Sequence, residues 1–117
     1  MLIGALAAFT LVAVMGLAMF LDVWRGKGIE PAYPKLHAAA SLVGAGLVIW
    51  AAVEGDMRLY ANIGMAVVII LLGLAMGLIA KKGKPVPKAI LVSHVGLAVA
   101  CYLLLGFFAL NTGVQLF

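Results

Sequence analysis

Four apolar runs, each about twenty residues long, leave this chain almost no choice of solvent. They cover about Leu2–Val23, Leu36–Val53, Leu59–Ala80 and Ala89–Leu110 of 117 residues. A helix needs roughly 20 mostly apolar residues to cross a bilayer. The runs are continuous rather than alternating and far too long for spanning strands, so a closed barrel is excluded. With 67% hydrophobic residues and a mean hydropathy of +1.25, a soluble domain of this size has too little core to hide its apolar surface. The expected fold is therefore an all-α membrane protein, an up-down-up-down bundle of four transmembrane helices in a single domain, 1–117. The first run lacks a basic leading segment and is too long for a signal-peptide core, so it reads as a retained helix.

Charge placement sets the expected topology. Arg25, Lys27 and Lys35 lie between the first two runs, and Lys81, Lys82, Lys84 and Lys88 between the last two. Only Arg58, of the eight Lys and Arg residues, falls on the other side. The excess of basic loops predicts cytoplasmic connectors and two non-cytoplasmic termini, in a bacterial inner membrane. Contact with anionic lipid accounts for most of this charge, and the net charge of +4 needs no nucleic acid to explain it. Cys101, the only cysteine, excludes an internal disulfide and any cysteine-rich metal motif and reads as a packing residue.

The chain also repeats itself. Gly16-Leu17-Ala18-Met19 recurs as Gly73-Leu74-Ala75-Met76, an offset of 57. The same offset carries Gly26-Lys27 onto Gly83-Lys84, Arg25 onto Lys82, Trp50 onto Phe107, and His37 onto His94, the only two histidines. Two tandem two-helix units, about 1–57 and about 58–117, would be parallel copies related by an axis along the membrane normal. Each second helix of a unit then carries one histidine near its basic end. Gly44, Gly46 and the Gly73/Gly77 pair are expected to let helices approach closely.

Ionisable residues inside a membrane span default to a functional expectation, although a histidine can also simply tie neighbouring helices together or sit in the headgroup layer. Across a square bundle, diagonal helices stand roughly 13 Å apart, a gap that suits two imidazoles with a metal between them. Ala40, Ser41 and Gly44 continue the His37 stripe, and Ala98 and Cys101 the His94 stripe, leaving expected room for a flat ligand. Pro31 and Pro34 leave the start of the second helix anywhere from Pro31 to Lys35. A late start would set His37 shallower than His94 by roughly 5–8 Å; an early one removes the mismatch.

The four helices with His37 and His94 resemble small b-type membrane cytochromes with a four-helix core and histidine ligands. That resemblance implies one haem b, held by His37 and His94 as axial ligands, with Lys27 and Lys84 meeting the propionates. It also implies electron transfer with a quinone or a redox protein. Such cytochromes often carry four histidines and two haems; two histidines serve one haem at most. A cofactor-free accessory subunit of a larger membrane complex fits equally well, with Trp24, Tyr33, Trp50 and Tyr60 as headgroup anchors. Either reading makes the chain an electron-transfer or accessory subunit more readily than a free-standing enzyme. A small transporter ranks last, because Asp22, Glu30, Glu54 and Asp56 all fall at helix ends or in connectors. A serine triad fails because Ser93 and His94 are adjacent on a helix and diverge by about 100°. A zinc site lacks further ligands.

Overall fold

Each apolar run forms one helix in the computed structural model, which describes residues 1–114. The helices are α1 (Leu2–Trp24), α2 (Ala32–Val53), α3 (Leu59–Lys81) and α4 (Lys88–Leu110). The last three residues of the second expected unit, 58–117, lie outside the described residues. At 1.5 Å per residue each helix is about 34 Å long, enough for a hydrocarbon core of about 30 Å. All four are long and apolar enough to cross a membrane. The molecule measures 46 × 23 × 20 Å.

The helices pack in the cyclic order α1, α2, α3, α4, with α1 also against α4, so α2 and α4 occupy one diagonal. Short connectors enforce the alternation of direction. Two of the three turns answer each other closely. After α1, the Lys27 amide donates to Asp22 O and the Gly26 amide to Val23 O. After α3, the Lys84 amide donates to Ile79 O and the Gly83 amide to Ala80 O. Gly26 and Gly83 both sit at φ 74°, the left-handed conformation such helix ends demand and glycine adopts without penalty.

α2 begins at Ala32, four residues before its apolar run. Pro31 is the N-cap and Pro34 lies in the first turn, where no amide hydrogen is needed for the helical ladder.

Packing is uneven along the bundle. Ala5, Val48, Ala51, Ala52, Leu59, Leu105 and Phe108 form one buried cluster, all at the end away from the basic connectors. Leu91 is the buried apolar residue of the other half among the described residues. The outward side chains, Leu11, Val14, Leu42, Leu71 and Leu103 among them, are exposed along the spans, as a lipid-facing surface requires.

Arg58 closes the tightly packed end. It is 4% exposed, although it stands at the N-cap of α3, where a cation is unfavourable for that helix's dipole. Its guanidinium reaches the opposite pole of α4 instead. Nη1 donates to Asn111 O and Val114 O, both at 2.9 Å, and the group lies 4.7 Å from the Phe108 ring centre. Nε and Nη2 grip both Asp56 carboxylate oxygens at 2.8 Å. The sequence reads Arg58 only as a topological charge; the fold makes it the tie between the α2–α3 turn and the end of α4.

Replacing Arg58 with Ala removes its bonds to Val114 O, Asp56 and Asn111 O, the last of which keeps the Val114 amide. The expected loss is about 2 kcal/mol, below that for a fully buried pair because Asp56 is partly exposed. Hydrogen bonds from Arg58 hold the Asp56 carboxyl below its ordinary 3.8. Its stabilisation is therefore full above that value and lost as pH falls through the lowered one. Thermal unfolding in detergent across this acid window should show wild type losing stability and Asp56→Asn responding less.

Candidate functional site

His37 lies five residues into α2 and His94 six residues into α4. With α2 starting at Ala32, the two differ by about one residue in depth, roughly 1.5 Å. The expected mismatch is removed by the early start, and the two rings meet across the bundle with centroids 6.5 Å apart and planes inclined by 53°.

Each ring is anchored in the same way. His37 Nδ1 lies 3.0 Å from Val12 O on α1, and His94 Nδ1 lies 2.9 Å from Ile69 O on α3; both bonds span 25 residues. A backbone carbonyl only accepts, so Nδ1 carries the proton in each ring. In the neutral imidazole, Nε2 is then left as a lone-pair acceptor. Each carbonyl already takes its helical amide from the residue four positions on, Gly16 or Gly73. A Cβ at Gly16 would stand 3.0 Å from His37 Cε1, and one at Gly73 3.1 Å from His94 Cε1. The recurring Gly-Leu-Ala-Met segment thus supplies the notch through which each imidazole reaches a carbonyl. That recurrence was the visible signal; the acceptors, Val12 and Ile69, carry none in a side-chain reading because their backbone does the work.

The small-residue stripes do not all leave room as expected. At Gly44 a Cβ would meet Phe9 ring carbons at 2.8 to 3.0 Å, so the Phe9 ring fills that space. Cys101 is engaged by Asn62, whose Nδ2 donates to Cys101 O at 3.0 Å. Asn62, unremarked in the sequence, is 3% exposed, and its Oδ1 has no hydrogen-bond partner among the described residues. The stripes are therefore closed on their far side, and half-buried Ala40 and Ala98 remain beside the rings. Among the close-packing glycines, Gly46 and Gly77 have open space where a Cβ would be and bring no backbones together.

Below the histidines, on the side of the connectors, lies an open basin of about 870 Å³. Lys27 and Lys84 both line it, as do Lys35, Lys81 and Lys88, and it reaches inward to Gly77 and Leu91. Leu91 precedes His94 by less than one helical turn. The four expected site residues thus gather in one half of the bundle. The histidines face one another, whereas Lys27 and Lys84 flank the basin rather than the rings.

No protein-family model matches the chain, and no curated protein or solved structure is similar enough to match it. The chemistry therefore rests on this geometry. Among the described residues no three His, Cys, Asp or Glu side chains gather to hold a metal ion, so a closed four-ligand zinc site is not formed. Two neighbouring imidazoles, each with Nε2 unprotonated, suit a metal that brings its other ligands with it, as haem iron does. Two metal–nitrogen bonds of about 2.0–2.1 Å, plus the distance from each nitrogen to its ring centre, separate the centroids by about 6–6.5 Å. The ring spacing fits that demand, and so does the anchored Nδ1, the usual partner arrangement of a metal-bound histidine.

The notch yields a direct test. Alanine normally stabilises a helix relative to glycine by roughly 0.5–1 kcal/mol. Gly46→Ala, with open space around it, should be neutral or stabilising in detergent melts. Gly16→Ala and Gly73→Ala should each destabilise by about 1–2 kcal/mol, because the added methyl pushes the imidazole off its carbonyl.

Proposed function

We propose that this protein holds one b-type haem between His37 and His94 and takes part in electron transfer within the membrane. The observation that carries this is the opposed pair of imidazoles, 6.5 Å apart, each with Nδ1 fixed on a helix carbonyl. In this reading Nε2 of each ring holds the iron. The Nδ1 bonds fix ring orientation and raise the basicity of the ligating nitrogen. Lys27 and Lys84, on the basin wall, balance the propionates. Bound haem supplies one-electron chemistry, and a quinone or a redox protein is the proposed exchange partner.

The proposed setting is a bacterial inner membrane with the basic connectors in the cytoplasm, following the asymmetry of Lys and Arg. The proposed origin is duplication of a two-helix unit. It is supported by matched glycine-terminated ends at Gly26 and Gly83 and by matched histidine anchors at the 57-residue offset.

One observation favours a cofactor-free subunit of a larger complex instead. The same Nδ1 bonds join α1 to α2 and α3 to α4, so the histidines have structural work without any iron.

An ultraviolet–visible spectrum of the detergent-purified protein separates the two. The expected result is a Soret band, with sharp α and β bands after dithionite, lost in both His37→Ala and His94→Ala. A protein that stays colourless after haem supplementation overturns the haem assignment. Co-purification would then be used to find the complex.

A further inference from the structure

We propose that the basin between the two basic connectors is a binding site for an anionic phospholipid whose headgroup carries two phosphates. The basin lies where α1 and α3 end and α2 and α4 begin, at the level where spanning helices meet lipid headgroups. Five lysines line it, Lys27, Lys35, Lys81, Lys84 and Lys88, and no carboxylate does among the described residues. A concave, uniformly cationic pocket at this depth attracts phosphate headgroups.

Its remaining walls decide between a lipid and a free anion. Val23, Ile29, Val86 and Leu91 face the same space. Inorganic phosphate gains nothing from such surface, whereas the glycerol and first acyl carbons of a lipid bury against it. One side is held in place by Trp24, which stacks on Phe20 at 5.6 Å and receives the Lys88 ammonium at 4.6 Å from its ring centre.

Two features favour two phosphates over one. The basin, about 870 Å³, is far larger than a single phosphate. Its lining also falls into pairs 57 residues apart, Lys27 with Lys84 and Gly26 with Gly83, so each connector offers a comparable cationic rim. The site does not rest on the histidine pair. Neither His37 nor His94 lines the basin.

The test is native mass spectrometry of the full chain released from detergent, with cardiolipin, phosphatidylglycerol or pyrophosphate added at equal phosphate. Haem and lipid adducts differ in mass and are counted separately, so failure of either assignment is visible alone. The expected result is one retained cardiolipin per chain. Retention should fall roughly tenfold or more in Lys27→Gln/Lys84→Gln and persist in Arg25→Gln/Lys82→Gln. The second variant removes the same charge from the same connectors at residues outside the basin. Lys27→Arg/Lys84→Arg should retain the lipid, which separates charge loss from misfolding. Equal loss in both glutamine variants would overturn the site in favour of diffuse surface attraction. Equal retention of phosphatidylglycerol would overturn the two-phosphate assignment. Displacement of cardiolipin by pyrophosphate would assign the basin to a free anion.

Discussion

An imidazole N–H inside hydrocarbon must find an acceptor, and in this bundle the acceptor is a helix carbonyl that already has one bond. Val12 O and Ile69 O each accept a second donor because the residue one turn on is glycine and leaves the oxygen exposed. Such interhelical bonds in membranes are worth only about 0.6–2 kcal/mol, so their main effect is on orientation. They select the tautomer, bind α1 to α2 and α3 to α4, and leave a lone pair on each ring available to a ligand. The need for Gly16 and Gly73 follows from this contact.

The rest of the packing is uneven along the bundle. Tight burial, from Ala5 to Phe108, is concentrated at the far end, where Arg58 also joins the α2–α3 turn to the Asn111 and Val114 carbonyls just beyond α4. A four-helix bundle closed at one end can leave its other end loosely filled without coming apart. The histidines and the basin both occupy that looser half. Tight packing and open space are thus separated along the bundle axis.

The four helices and the meeting of His37 with His94 were legible because hydropathy and rare residue types survive any detail of packing. The start of α2 was not fixed by sequence: Pro31 and Pro34 look like boundaries on either side, and only the first-turn exemption from amide bonding lets Pro34 lie within the helix. Gly44 and Cys101 read as empty space because a stripe on one helix does not reveal what the neighbouring helix inserts, here Phe9 and Asn62. Arg58 was legible as a charge but not as a clamp, since its acceptors are carbonyls more than fifty residues away.

Comparing positions 57 residues apart separates the two kinds of constraint. Three pairs near the basic connectors agree, Gly16 with Gly73, Gly26 with Gly83 and Lys27 with Lys84. Three other pairs differ. Ala5, Phe9 and Gly44 stand opposite Asn62, Ala66 and Cys101. One set fills the gap with an aromatic ring and the other with an amide bonded to a cysteine backbone. A core asks only for occupied volume and tolerates many solutions. An imidazole bonded to a helix carbonyl asks for one notch, one acceptor and one tautomer, and a side chain at the glycine crowds the ring. The notch glycine recurs beside both histidines, whereas the gap farther along the bundle is filled in two different ways.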